Sequence, residues 1–293
     1  MNQTFAASLV LVLSALASAG CQMRSTPTST RATSDASAPV AAADAKITEI
    51  TFVKGVAKTG SKVEVSSKVS SKFTIEGKVY RETTESSATV DIQGADEFRV
   101  TKAAIDVKQL FTTKQDGTGD EKKSVNPLSG SRWIVTRNDD GKLSALDSSG
   151  GKVAAPQLAQ LKENFDGIFQ TDKSRDFLPK RAVKIGEKLT PAADAVLSLM
   201  GQKDDGTATV DGVEFILQSA TKDRATFAVS LTLTLKIDPT IRLRTKLDGT
   251  IEVRPKDSEI TSVALKGPLT LLDPKGNDKG TGDMSITATE SSP

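Results

Sequence analysis

The chain has 293 residues, of which 37% are apolar and 26% are charged, and its formal net charge is +2. It contains no His and a single Cys. This excludes a Ser-His-Asp triad, imidazole metal ligands, an internal disulfide and a Cys-rich zinc site. The near-neutral charge balance gives no support to nucleic-acid binding. We therefore expect a protein that is not an enzyme and that holds no cofactor and no metal.

The first 20 residues have the pattern of a secretory signal peptide. An apolar stretch of Ala, Leu, Val and Ser runs from Phe5 to Gly20. It is shorter and richer in Ser and Ala than a membrane-spanning helix, which needs about 20 apolar residues. Residues 1–20 are therefore predicted to direct export and to be removed.

The end of this stretch has two interpretations. Ala17-Ser18-Ala19 fits the A-x-A site of ordinary signal peptidase. Ser18-Ala19-Gly20-Cys21 resembles the bacterial lipobox, in which the Cys is acylated and becomes the mature N-terminus. The resemblance implies that Cys21 carries palmitate-type acyl chains and anchors the protein in a membrane. By similarity to enterobacterial sorting, Gln22 after the Cys implies the outer membrane, facing the periplasm or the cell surface.

Residues 21–45 are predicted to be a disordered tether that follows the lipidated Cys. Ser, Thr, Ala and Pro dominate this segment, which has no aromatic residue and no hydrophobic period. Such a composition cannot bury enough apolar surface to offset the conformational entropy of ordering. The folded part is then residues 46–293, which we expect to form a single β-rich domain.

Apolar residues in this domain alternate with polar ones, which is typical of half-buried strands. The apolar residues from Val63 to Val79 fall on odd positions, and those around Val90 fall on even positions. Residues 62–80 form either one long strand or a hairpin that turns near Ser70-Ser71. A change of phase predicts a β-bulge near Thr101-Lys102. Residues 116–130 are polar and Gly-rich, and are predicted to be a loop.

The pattern changes to a helical period in an insertion over residues 154–201. The first helix is predicted to start near Pro156. The second is predicted to have Thr190 as its N-cap and Pro191 at its first helical position. Strands return after the insertion, with an unbroken odd-numbered apolar run from Phe227 to Ile237. The predicted fold is mainly β (α+β). It is a large curved antiparallel sheet, or unclosed barrel, of about 10–12 strands with the two-helix insertion packed on it.

The segment Phe177–Leu189 resembles a phrase, "LP…V-x-(I/V)-G-(D/E)-x-W", of uncharacterised bacterial lipoproteins with β-rich domains. The matching residues are Leu178-Pro179, Val183 and Ile185-Gly186-Glu187, and Leu189 stands where Trp is common. At the level of fold, the layout also resembles the LolA, LolB and LppX type of unclosed barrel. That resemblance implies an apolar cavity between a bent sheet and its helices.

The apolar faces of the two predicted helices are the candidate lining of such a cavity. One interpretation is that these faces only cover the sheet. The other is that they line a cavity for an acyl chain. The candidates are Leu158, Leu161, Phe165, Ile168, Phe169, Val196, Leu199 and Met200.

Two further patterns concern the surface of the domain. Arg242, Arg244 and Lys246 share one face of a strand, where they are either a solvated surface or a contact for anionic headgroups or glycans. Several Asp-Gly clusters, such as residues 116–120, lack the full spacing of a calcium loop and are predicted to be turns.

Two functions remain open for this envelope lipoprotein. One is a carrier or sensor that binds a lipid or other hydrophobic ligand in the sheet–helix cavity. The other is a structural adaptor with a solid core, whose surface binds an envelope protein. The membrane, reached through the N-terminal lipid, is the expected partner in both.

Overall fold

A computed structural model describes residues 47–53, 58–96, 99–169, 176–200 and 206–291. In these residues it shows 14 strands, two α-helices and one 3-10 helix. The strands are β1 Glu49–Ile50, β2 Lys62–Ile75, β3 Lys78–Ala95, β4 Val100–Gln115, β5 Glu121–Val125, β6 Ser131–Arg137, β7 Leu143–Asp147, β8 Val183–Lys184, β9 Lys188–Leu189, β10 Ala208–Ala220, β11 Ala225–Asp238, β12 Ile241–Arg254, β13 Glu259–Leu272 and β14 Asp278–Ser291. The helices are α1 Ala155–Phe165, the 3-10 helix Asp166–Phe169 and α2 Ala193–Leu199.

The strands form one large antiparallel sheet that does not close. Eleven of its 12 strands follow the order β7-β6-β4-β3-β2-β14-β13-β12-β11-β10-β9, and the twelfth, β5, pairs with β4 beside this path. A second sheet contains only β1 and β8. The helices lie between β7 and β10 in the chain. This confirms the predicted fold class, an open antiparallel sheet of 10–12 strands with a helical insertion.

The hairpin between β2 and β3 resolves the alternative for residues 62–80. β2 runs without a break through Ser70 and Ser71, and the chain turns at Glu76-Gly77. Both turn residues have positive φ, 51° for Glu76 and 77° for Gly77. This combination is typical of the tight two-residue turns whose twist matches that of the flanking strands.

The predicted irregularity in β4 is present, and the predicted loop after it is partly a strand. The register shifts where Gly94 pairs with Lys102 and Ala95 with Val100, which leaves Thr101 as the extra residue of a bulge. Residues 116–130 contain β5, so the prediction of a continuous loop is wrong there. All five β5 side chains are exposed. The strand therefore has no apolar alternation and depends on backbone pairing with β4.

Glycines in three adjacent strands allow the sheet to curl. A Cβ on Gly249, Gly267 or Gly282 would overlap a backbone carbonyl oxygen of the neighbouring strand. Gly249 pairs with Leu265, two residues from Gly267, and Gly267 pairs with Met284, two residues from Gly282. The glycines therefore form a diagonal line of close backbone approach, which is a device for bending a sheet.

The apolar side chains on the inner face form two separate clusters. The α2-side cluster joins α2 with β9 to β14 and with Val69 and Phe73 of β2. The α1-side cluster joins α1 and the 3-10 helix with β3, β4, β6 and β7. Each helical segment therefore covers a different end of the sheet.

Candidate functional site

The five cavity candidates from the first helix lie together in the α1-side cluster. Leu161, Ile168 and Phe169 are buried, while Leu158 and Phe165 are partly buried and pack against the same cluster. Their neighbours on the sheet include Ile105 and Trp133. The period of α1 brings Leu158, Leu161 and Phe165 to one face, and the 3-10 helix that follows adds Ile168 and Phe169 to the same cluster.

The three candidates from the second helix lie in the other cluster. Val196, Leu199 and Met200 are all buried in the α2-side cluster, against strands that include β10 and β11. The structure therefore does not bring the eight candidates into one site. It places five of them at one end of the sheet and three at the other.

Two buried polar atoms at the α1 end of the sheet have no hydrogen-bond partner among the described residues. They are Nε1 of Trp133 on β6 and Oε1 of Gln160 on α1. Trp133 is 5% exposed and lies opposite Ile105 on β4. A buried donor or acceptor left without a partner costs about 1–3 kcal/mol. These atoms are one donor and one acceptor that could be satisfied by a bound molecule.

A band of polar side chains separates the two clusters on the inner face. On β3, Glu82, Thr84 and Ser86 interrupt the apolar series between Tyr80 and Ala88. The hydroxyls of Thr84 and Thr112 lie 3.0 Å apart, and those of Ser67 and Ser86 lie 2.6 Å apart. We refer to Ser67, Glu82, Thr84, Ser86 and Thr112 as the inner polar band.

Glu82 is the charged member of the inner polar band. Oε1 of Glu82 lies 3.5 Å from Nζ of Lys114 on β4, and Glu82 is 6% exposed. Burial raises the pKa of Glu82 above its usual range, and the nearby Lys114 ammonium opposes this shift. The carboxyl is thus held in an environment that favours its neutral form.

The predicted basic stripe lies on the outer face of β12. Arg242, Arg244 and Lys246 are all exposed. In the part of the chain that the structure describes, none of the three forms an ion pair. Arg242 lies directly opposite Lys236 on β11, while Arg244 and Lys246 lie opposite Thr234 and Thr232. The stripe is therefore flanked by cationic and hydroxyl side chains.

A buried charged cluster at the β12–β13 turn has a structural role. Nε of Arg254 donates to both carboxylate oxygens of Asp257 at 3.0 Å, and the guanidinium also pairs with Glu259. The same turn binds Val53. Ser258 Oγ donates to the Val53 carbonyl, and the Val53 N–H donates to the Pro255 carbonyl. The cluster thus holds the N-terminal part of the domain against the sheet.

The Asp-Gly clusters at residues 116–120 and 139–141 form turns, but Asp211-Gly212 lies within β10 at a register shift, so the predicted turn is wrong there. Side-chain hydrogen bonds from Thr118, Ser149 and Asn277 hold the pKa values of Asp116, Asp147 and Asp273 below their usual range. Within the described ranges, no group of three or more acidic or Cys side chains is arranged to hold a metal ion.

The sequence reasoning missed Trp133, Gln160 and Glu82. A signal was present for Glu82, because it shares the even-numbered phase of Ala88, Val90 and Ile92. A carboxylate in an inner phase predicts a buried charge. Trp133 and Gln160 gave no such signal, since a lost hydrogen-bond partner is visible only in three dimensions.

The N-terminal predictions lie outside the described residues, including Cys21 and the tether. Among the described helices, none is both long and apolar enough to span a membrane.

No family model matches the chain, and no curated protein matches it. Among solved structures it is similar to DynF from the dynemicin biosynthesis pathway of Micromonospora chersina, with 12% identity and a TM-score of 0.21. That match covers 89% of this chain and 92% of DynF. It is also similar to a DUF1329 family protein from Desulfovibrio piger, with 11% identity, a TM-score of 0.15, and 79% and 84% of the two chains covered. At these TM-scores the structural neighbours are distant and indicate no function.

Proposed function

We propose that this chain is a non-enzymatic lipoprotein of the bacterial cell envelope, attached at the outer membrane through Cys21. Its domain binds a lipid or another hydrophobic ligand on the inner face of the open sheet. The acyl part of the ligand lies in the α1-side cluster. The observation that carries this proposal is the pair of buried polar atoms, Trp133 Nε1 and Gln160 Oε1, without partners among the described residues.

The chemistry of these two atoms suits an amphiphile. An indole N–H donates only, so it can bind an ester or carboxyl oxygen. The Gln160 oxygen accepts, so it can bind a hydroxyl or an amide N–H. The Trp133 indole belongs to a cluster of aliphatic and aromatic side chains that includes Leu161, Ile168 and Phe169. Ligand pockets generally combine such an apolar lining with a few placed polar groups.

The α1 helix provides a route between solvent and this cluster. Leu158 and Phe165 are only partly buried, although they pack against the cluster. They lie seven residues apart, so both face the same side of α1. A small displacement of α1 would expose the apolar surface beneath it.

The test is the lipid content of a chain that is not itself acylated. A Cys21→Ser variant, expressed in a bacterium and purified without detergent, is extracted with organic solvent and analysed by mass spectrometry. We expect about one lipid per chain. Adding Gln160→Leu should lower the amount of bound lipid, because the acceptor is lost.

Gln157→Leu is the matched control. Gln157 lies on the same helix, but none of its side-chain atoms is buried without a partner among the described residues. The Gln157→Leu variant should leave the lipid content unchanged. A clean extract from the Cys21→Ser chain, with no uptake of added lipid, would refute the proposal.

A second function, an adaptor with a solid core, is favoured by a different observation. Six of the eight cavity candidates are almost completely buried, with exposed fractions from 0% for Phe169 and Val196 to 5% for Leu199. Full burial is also what a packed core without ligand requires. A chain without lipid that captures one envelope protein through its surface would support this alternative.

A further inference from the structure

The outer face of the sheet carries a groove that crosses the middle strands. It has a volume of about 620 Å³ and runs from β12 to β3, on the face opposite the apolar clusters. Adjacent strands lie about 4.8 Å apart, so four strand spacings give it a length of about 19 Å. Gly267 and Pro268 of β13 line it next to the line of bending glycines. The groove is therefore a consequence of the curvature of the sheet.

Cationic side chains line this groove without ion-pair partners. Lys72, Arg81 and Lys266 are exposed and belong to its lining. Within the described ranges, none of the three forms an ion pair. The basic stripe of β12 ends beside it, because Lys246 is followed by Asp248, which also lines the groove. Asp248 thus lies between the stripe and the groove, directly opposite Lys266 on β13.

Two pairs of like charges on this face are unfavourable for the folded protein alone. Lys72 lies directly opposite Arg81 across β2 and β3, and Lys236 lies directly opposite Arg242 across β11 and β12. On its other side Lys72 lies opposite Asp283 of β14, but within the described ranges the two side chains form no ion pair. Like charges directly opposite each other destabilise an antiparallel pair. By contrast, Lys114 lies opposite Lys122 but has the carboxylate of Glu82 at 3.5 Å. A bound anion would relieve the repulsion in the two pairs on this face.

Acidic and hydroxyl groups in the groove limit the kind of anion. Asp248 and Asp283 are exposed and line it together with the hydroxyls of Ser70, Thr83 and Ser285. Carboxylates accept hydrogen bonds from sugar hydroxyls and repel anionic groups, so the acidic groups of a ligand must lie at the cationic side chains and its hydroxyls at the aspartates. None of the lining residues is aromatic, whereas single-stranded nucleic acids need rings for stacking.

We propose that this groove and the adjoining basic stripe bind an anionic polysaccharide chain of the cell envelope. Lys72, Arg81 and Lys266 contact the acidic groups of the glycan. Asp248, Asp283 and the hydroxyls accept and donate hydrogen bonds to its sugar hydroxyls. The site lies on the face opposite the apolar clusters, so it is independent of the ligand proposed for the inner face.

The experiment measures binding of the full chain, in a neutral detergent, to a hexasaccharide of galacturonic acid by isothermal titration calorimetry. Cellohexaose is the neutral probe, and vesicles of phosphatidylglycerol are the lipid probe. We expect the uronate to bind and both other probes to bind weakly or not at all. The triple variant Lys72→Gln/Arg81→Gln/Lys266→Gln should weaken uronate binding about tenfold or more.

Two further variants separate a specific groove from general charge attraction. Lys122→Gln/Lys152→Gln/Lys162→Gln removes the same charge at exposed positions outside the groove and should change the affinity less than about twofold. Asp248→Ala/Asp283→Ala raises the net charge, so it would strengthen a purely electrostatic contact. In the proposed site it weakens binding, because hydrogen-bond acceptors for the sugar are lost.

Three results would overturn the proposal. The first is no uronate binding at millimolar concentration. The second is an equal loss of affinity in the groove variant and in the charge-matched control. The third is tight binding to the phosphatidylglycerol vesicles that the groove variant abolishes, which would assign the surface to a membrane instead.

Discussion

Glu82 on β3 lies directly opposite Lys114 on β4, and Nζ of Lys114 is 3.5 Å from Oε1 of Glu82. The carboxyl is almost completely buried, whereas 38% of the Lys114 side chain is exposed. The pair therefore joins an enclosed carboxyl to a cation that keeps part of its hydration. It marks the place where the inner face changes from one apolar cluster to the other.

This arrangement predicts how the stability of the fold depends on pH. Burial raises the pKa of Glu82 above its usual range, so the folded state favours the protonated carboxyl. The stabilising contribution is complete below the unfolded-state pKa and is lost as the pH rises through the folded-state pKa. Glu82→Gln keeps a neutral group at every pH. Its melting temperature should exceed that of the wild type at pH 7, and the difference should disappear near pH 4.

Glu85→Gln is the control for this measurement. Glu85 lies on the same strand and pairs with Lys68 at 2.9 Å, and both side chains are partly exposed. Surface ion pairs contribute about 0–1 kcal/mol, so the melting temperature should change little at either pH. A Glu82→Gln variant that is less stable than the wild type at pH 7 would show that the ion pair with Lys114 outweighs burial.

Replacing Gln160 tests whether its side-chain oxygen is without a structural partner. In the lipid-free chain, Gln160→Leu removes a buried acceptor and places an apolar side chain at a partly buried position of α1. We expect the free energy of unfolding in urea to stay equal or to rise by about 1 kcal/mol. A loss of more than about 1 kcal/mol would mean that Gln160 has a structural partner, and that ligand binding is not its role. Gln157→Leu should have no measurable effect.

The bending glycines predict a large and position-specific loss of stability. In Gly267→Ala the new methyl group overlaps the carbonyl oxygen of Lys246, and a strand in the middle of the sheet cannot move away. The cost should exceed about 4 kcal/mol, which is exceptional for one substitution. Urea unfolding measures it.

Gly276→Ala provides the comparison. Gly276 has φ +87°, but a methyl group added to its Cα would have no atom within 4 Å. The substitution should lower the stability only by the strain of a left-handed backbone at a residue with a Cβ, about 1–2 kcal/mol. Similar costs for the two variants would show that close backbone approach does not shape the sheet.

The anchor prediction concerns Cys21. If this residue is acylated, the chain incorporates a labelled palmitate analogue and stays with the membrane fraction. Cys21→Ser should abolish the label and release the chain into the periplasm, because the remaining chain has lost its acyl anchor. A wild-type chain without label, or a Cys21→Ser chain that still sediments with membranes, would contradict lipidation.

The strands were predictable because alternation with a period of two depends only on which face is buried. The run from Phe227 to Ile237 therefore corresponds to β11, and the change of phase near Thr101 corresponds to a bulge. β5 was not predictable, since its pairing with β4 buries no side chain. The cap of α2 was also misplaced, because the helix starts at Ala193 and Ala192 precedes it without a side-chain cap.

The candidate site was predictable only in part. Helical spacing placed Leu158, Leu161 and Phe165 on one face, but it could not tell which end of the sheet each helix covers. The assignment of the two helices to separate clusters depends on strand order, which pairs β10 with β9 and places β7 at the opposite edge. The burial of the Trp133 and Gln160 atoms depends on tertiary packing, which a single sequence does not encode in any local pattern.

The most direct test of the ligand proposal uses Trp133, the single Trp of the chain. Its indole is buried in the α1-side cluster, so its fluorescence reports on that cluster alone. A phospholipid with brominated acyl chains is added to the detergent-free, lipid-stripped Cys21→Ser chain, and the unbrominated lipid is the control. If the acyl chain lies beside Trp133, we expect quenching that saturates at one brominated lipid per chain. Fluorescence that is equal with both lipids at every ratio would contradict it.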